Sequence, residues 1–293
     1  MRLIPLALVL AALAGCAEPS TFDKMSRLER DVRLAALREA RAGELSLWLA
    51  QADGRELLAI NADRPVAAAS TIKVLILVEA HAQAIEGTFR WTDEHTLLAG
   101  EMVEGTGSFK NERVGSSWSY TQYARRMISE SDNTASNILL RRLGMRNVNE
   151  RAAKLGLQVT RFEREFMDFA ARDLERKENW TTARELGQVM RAIFRKEILT
   201  KEACDDMIRL LEHTSRGRIA AGVPKEIAVG HKSGSMPGLR HDVGWVRVPG
   251  QPYVLSVFLD GLIEDRSGGE DRGVLGLDAI GRIVYDAMGP TDE

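Results

Sequence analysis

Short, strand-like apolar segments lie at the two ends of this 293-residue chain, and most of the sequence between them has helical spacing. Near the start, Leu45–Leu49 and Glu56–Ile60 flank Asp53-Gly54, a dipeptide that favours a tight hairpin turn. Near the end come three more segments, about Ala228–Ser235, Asp242–Val248 and Tyr253–Asp260, separated by Pro237-Gly238 and Pro249-Gly250. Strands so far apart in sequence can share a sheet only if the helices between them form a lobe inserted into it. The helical candidates are Thr71–Ala84, Thr121–Leu143 ended by Gly144, Thr182–Phe194 and Lys201–Glu212. Amphipathic stretches at Asp23 to about Ala42 and at Val274–Met288 are placed to cover the sheet. The expected fold class is therefore α+β: an antiparallel sheet covered by terminal helices, plus an inserted all-helical lobe, with a cleft between the two.

The N-terminus carries a separate signal. Met1-Arg2 is followed by an apolar run, Leu3–Leu13, which is shorter than the ~20 residues that span a bilayer. Ala14-Gly15 then precede Cys16, as at the end of a secretory signal peptide. The ending Leu13-Ala14-Gly15-Cys16 resembles the bacterial lipobox, which implies cleavage before Cys16 and lipidation of its thiol. We expect residues 1–15 to be a signal peptide, 16–22 a tether and 23–293 one folded domain, exported as a monomer and anchored on the periplasmic side of a membrane. Cys204 is then left without an intramolecular disulfide partner.

Charge and motif searches narrow the function. The net charge of -2 and the interspersed signs give no field suited to nucleic acid. The two cysteines form no CxxC, and His81, His95, His213, His231 and His241 form neither HExxH nor HxH, so no metal or other cofactor is expected.

Three clusters carry chemistry instead. In Ser70-Thr71-Ile72-Lys73, three-residue spacing stacks serine and lysine on one helical face. A serine hydroxyl needs a neighbouring base, and a lysine serves only if burial or nearby positive charge lowers its pKa. Apolar neighbours on both sides of the pair favour that, and a helix start offers Ser70's own N–H to an oxyanion. In Ser131-Asp132-Asn133, Ser131 can relay a proton and Asn133 can bind a substrate amide; the same residue types also suit a helix cap. In Lys232-Ser233-Gly234, lysine can hold an anion and glycine allows close backbone approach, while Ser235 N–H can be a second oxyanion donor. A charged edge strand has the same look.

In this order the three clusters resemble the motif set of class A β-lactamases and penicillin-binding proteins. Ser131–Leu140 (SDNTASNILL), Arg218–Pro224 (RIAAGVP) and Arg240-His241-Asp242 extend the likeness over about residues 45–285. The resemblance implies a β-lactamase/transpeptidase-like fold with Ser70, Lys73, Ser131 and Ser235 as catalytic residues. Asn133, Lys232, Ser233 and Gly234 would bind a β-lactam or a peptidoglycan-peptide substrate. A Ser/His/Asp triad using His241-Asp242 is disfavoured, because neighbours on a strand face opposite ways and no GxSxG elbow occurs.

One departure from the family pattern matters. Class A enzymes carry an ExxLN motif after SDN, whose glutamate activates the water that clears the acyl-enzyme. The corresponding stretch here, Thr160–Thr182, has none; Glu163, Glu165 and Asp168 are nearby, each placed to pair with a local arginine. We therefore expect acylation at Ser70 with slow deacylation. A D-alanyl-D-alanine carboxypeptidase, an esterase or a non-catalytic cell-wall peptide binder are the alternatives on the same scaffold.

Overall fold

A computed structural model describes residues 21–214, 218–263 and 271–289. The signal peptide, Cys16 and most of the tether expected above lie outside these residues. Among the described residues no helix is long and apolar enough to cross a membrane.

Helix α1 (Thr21–Arg38) leads into the hairpin β1 (Glu44–Gln51) and β2 (Glu56–Ile60), with Gly54 at φ +102° in the turn. Strand β3 (Val66–Ala67) precedes a 3-10 turn at Ala69–Ile72 and helix α2 (Lys73–Ile85). The helical lobe continues through β4 (Glu94–Thr96), β5 (Ser117–Ser119), α3 (Tyr120–Ser129), α4 (Asn133–Leu143) and α5 (Met145–Lys154). Then come α6 (Phe169–Asp173), β6 (Trp180–Thr181), α7 (Ala183–Phe194) and α8 (Lys201–Glu212). Strands β7 (Val229–Met236), β8 (Leu239–Val246) and β9 (Tyr253–Asp260) and helix α9 (Arg272–Met288) close the fold.

The five long strands form one antiparallel sheet in the order β2-β1-β9-β8-β7. The N-terminal hairpin thus joins the C-terminal meander through β1 and β9, the closure expected from strands at both chain ends. One face buries Leu28, Val32, Leu47, Leu255, Leu277 and Ile280 beneath α1 and α9. The other buries Trp48, Val243, Trp245, Val254 and Phe258 against α7 and the inserted lobe. Strand β7 is a sheet edge, and the lobe faces it.

One sequence expectation is corrected. Thr121–Leu143 is two helices, not one. The chain breaks at Glu130-Ser131-Asp132, where Ser131 takes φ +57° and Asp132 caps α4 by accepting from Ala135 N–H. No glycine or proline marks this break, so helix-forming composition hid it. The stretch Thr160–Thr182 also contains the short α6, and β6 pairs with β3.

One histidine contributes to the core without a carboxylate partner among the described residues. His81 stands on α2 with its ring 4.7 Å from Trp91 and its Nε2 unpartnered, and burial pushes its pKa down to about 4. The unfolded chain binds this proton near pH 6.5, the folded chain only near 4, so stability is complete above 6.5 and falls as pH drops towards 4. The full span is worth about 3 kcal/mol. His81→Phe, which keeps the ring contact, should lose about 2 kcal/mol less stability than wild type between pH 6.5 and 4.5 in urea melts. Parallel pH curves for the two proteins would refute this account.

Candidate active site

The three clusters meet in one cleft of about 520 Å³, lined by Ser70, Ser131, Asn133, Lys232, Ser233 and Ser235 among others. Ser70 sits in the 3-10 turn just ahead of α2, after Ala69 at φ +48°, a strained value for a residue with a Cβ. That turn is pinned by β7. A Cβ on Gly234 would lie 3.0 Å from the Ala69 methyl and 3.1 Å from Ser70 N, so the strand needs glycine to approach this closely. Strand β7 and the Ser70 turn thus come close together at Gly234.

Lys73, the first residue of α2, is fully buried. Its Nζ donates to Ser131 O (2.5 Å), Asn133 Oδ1 (2.9 Å) and Ser131 Oγ (3.3 Å). From the sheet side, Lys232 Nζ donates to Ser131 Oγ (3.0 Å) and Ser233 O (2.8 Å). Ser131 is thus held between two ammonium groups, and its left-handed backbone places both its oxygens on them. The wall beside it is built by Asp132, which accepts from Phe109 N–H (2.8 Å), and by Thr106, whose Oγ1 donates to Ser131 O (2.7 Å). Gly107 at φ +103° lies so close to Asp132 that a Cβ there would fall 2.2 Å from its carboxyl carbon.

Electrostatics follow from burial. Desolvation, then the charge of Lys232, holds the Lys73 ammonium well below the usual lysine range, with Asp132 opposing. Lys232 is pushed down to about 7, mainly by burial, with Asp242 raising it and Arg218 lowering it. Among the described residues no carboxylate lies within ion-pair distance of either lysine, so both ammonium groups are uncompensated by direct contact.

Residues that the sequence reading did not single out complete the site. Arg218, at φ +57°, directs its guanidinium along β7, donating to Ser235 Oγ (3.0 Å) and His241 O (3.1 Å). Phe166 turns its ring onto Lys73, 4.5 Å from Nζ to centroid. Asn137 fixes it there, accepting from Phe166 N–H (2.9 Å) and donating to Phe166 O (3.0 Å). The SDNTASN run contained Asn137, but no local signal says which residue it grips.

The carboxylates of this loop are all engaged elsewhere. Glu163 accepts from Arg161, Glu165 from Arg141, and Asp168 caps α6 through Ala171 N–H (2.9 Å). Glu178 pairs with the buried Arg164 at 2.7 Å. The arginine pairing expected of Glu163 holds; Glu165 finds its partner on α4 rather than within the loop, and Asp168 is a cap. His241 is fully buried, stacked on Phe258 at 4.4 Å with Nε2 donating to Ala67 O (3.1 Å). It is structural: its Nε2 is committed to Ala67 O, which removes the triad alternative.

A serine beside a buried, depressed-pKa lysine, a second serine shared by two lysines and a strand edge against the serine's N–H define a serine hydrolase that works through an acyl-enzyme. The chain belongs to the β-lactamase enzyme family, whose model matches residues 28–288. Among its relatives, a β-lactamase of Bacillus licheniformis is 26% identical over 84% of this chain and 82% of its own. One from Nocardia asteroides is 28% identical over 96% of this chain and 95% of its own. The fold is shared with a β-lactamase from Sphaerobacter thermophilus (TM-score 0.80, 26% identity, 88% of this chain, 97% of that one) and with PBP-A (0.79, 26%, 89% and 96%). A leucine-to-glutamate variant of PBP-A has been solved as an acyl-enzyme with penicillin G (0.78, 26%, 89% and 96%).

Proposed function

We propose that this protein acylates itself at Ser70 with β-lactams and releases the product slowly. The observation that carries this reading is the Phe166 ring over Lys73, with every carboxylate of its loop engaged elsewhere. Acylation has its parts. A neutral Lys73 amine keeps two N–H donors for its shortest contacts, Ser131 O and Asn133 Oδ1, and offers its lone pair to the Ser70 proton. Ser70 Oγ attacks the lactam carbonyl, and the N–H groups of Ser70 and Ser235 receive the oxyanion. Once Lys73 has taken the Ser70 proton, its third N–H is directed at Ser131 Oγ, which gives its own proton to the departing ring nitrogen and is reprotonated by Lys73, so the proton from Ser70 ends on the product amine and Lys73 is neutral again. Lys232 and Arg218, with Ser233 and Ser235 between them, supply a cationic end for the substrate carboxylate, and Asn133 an amide contact.

Deacylation lacks its base. Hydrolysis of the ester needs a water held by a carboxylate, and here an apolar ring covers that side of Lys73. Intact-protein mass spectrometry after a brief exposure to benzylpenicillin should show one adduct per chain, persisting after excess drug is removed. An unmodified mass with unconsumed drug would overturn the reading. A non-catalytic binder is not favoured, because Ser70, Lys73, Ser131 and Lys232 are all present and the last three are hydrogen-bonded together.

We further propose that the mature protein begins at a lipidated Cys16 and works on the periplasmic side of a membrane, a reading that rests on Leu13-Ala14-Gly15-Cys16. Cys16→Ser should move the protein from the detergent-extracted to the soluble fraction. Wild-type protein that retains residues 1–15, or is already soluble, would refute the anchor.

A further inference from the structure

Behind β7, on the sheet face away from Lys232, lies a buried pair that the acylation chemistry does not use. Asp242 on β8 is fully buried, and His231 on β7 is nearly so. His231 Nδ1 lies 2.9 Å and 3.0 Å from the two carboxylate oxygens. Asp242 also accepts from Ile219 N–H (3.3 Å) and from Val243 N–H (3.1 Å). The Ile219 contact matters because Ile219 follows Arg218. Arg218 N–H itself donates to Asp278 on α9 (2.5 Å). Two carboxylates therefore hold the backbone of this left-handed turn from behind, and neither takes the guanidinium, which stays directed at Ser235.

We propose that Asp242, with His231 seated on it, is a positioning residue for acylation: it holds the Arg218 turn and places a carboxylate behind the strand that carries Lys232, the anchor for an anionic substrate. The inference rests on the acylation reading above. The charged and titratable groups around Lys232 are few. From α2 comes Lys73, with Asp132 behind it at the start of α4. The turn after α8 brings Arg218, and β7 itself carries His231. Glu130, at the cleft, is turned onto Ser108, accepting from its N–H at 3.0 Å. The Arg218 charge thus opposes that of Lys232, and Asp242 is the carboxylate that favours it. Asp242 and Lys232 occupy opposite faces of neighbouring strands, since Asp242 stands opposite Ser233 in the register. The influence acts through the strand, with no contact to substrate.

The test compares acylation by benzylpenicillin with acylation by its neutral methyl ester, from pH 5.5 to 9.5, in wild type and in Asp242→Asn. Asparagine keeps the shape and an acceptor for Ile219 N–H but removes the charge. The acid-to-ester rate ratio of wild type should fall through about pH 7 as Lys232 loses its proton. In Asp242→Asn this fall should move down by about one pH unit. A folded variant with an unshifted midpoint overturns the inference, because a purely structural role leaves the midpoint in place. Should the variant not fold, carboxyl 13C resonances of wild-type aspartates decide: Asp242 must be ionised at pH 7, and a protonated carboxyl there overturns the proposal. Loss of any adduct with both substrates in wild type would overturn the acylation reading, and this inference with it, whereas an adduct with an unshifted midpoint removes this inference alone.

Discussion

Phe166→Glu should raise steady-state turnover of a penicillin by at least ~10²-fold, the lower end of what a positioned general base contributes. Asn137 grips the Phe166 backbone from both sides, so the substituted carboxylate starts from the same place, facing Lys73. A carboxylate there favours the protonated form of Lys73, which gives the new charge a partner and offsets its burial. Stability should fall by ~3 kcal/mol, because Phe166 is nearly buried and packs edge-on against Phe162 at 6.0 Å. Phe166→Gln separates the effects: it suffers a similar packing loss but supplies no base, so its turnover should stay near wild type. Equal gains in the two variants would mean that opening the cleft, not adding a base, speeds release.

Ser70→Ala should abolish covalent labelling by benzylpenicillin, a loss of at least ~10⁴-fold in acylation rate, since nucleophile and base act as one unit. Its fold should be unchanged, because the Ser70 hydroxyl makes no hydrogen bond on which the 3-10 turn depends; Thr71 Oγ1 holds that turn by donating to Ala68 O (2.6 Å). Lysine at position 73 then has no hydroxyl to deprotonate. Stoichiometric labelling of the variant would place the nucleophile elsewhere, with Ser131 the first to examine.

Motifs with local geometry were legible in the sequence. Three-residue spacing put Ser70 and Lys73 on one helical face, and Gly234 announced a close approach: a Cβ there would fall 3.1 Å from Ser70 N. The sheet was readable because alternation and turn dipeptides mark strands independently of their partners. What stayed hidden depends on contacts between distant segments. Ser131 enters the site because the chain breaks at φ +57°, and that break is stabilised by Asp132 binding Phe109 N–H from another loop. Phe166 looked like one aromatic among several in its loop; only the fold sets it on Lys73. Arg218 lay within a segment already noted for its family likeness, yet its role follows from carboxylates on β8 and α9 that the sequence places far away.

The most direct test of unbalanced half-reactions is a stopped-flow time course with a chromogenic cephalosporin under excess substrate. Acyl-enzyme that forms faster than it hydrolyses gives a burst near one equivalent of enzyme, followed by a slow linear phase. That is the predicted result for wild type. A linear trace from the first turnover, at a rate matching acylation, would show that deacylation is efficient and that some group other than the engaged loop carboxylates activates the water.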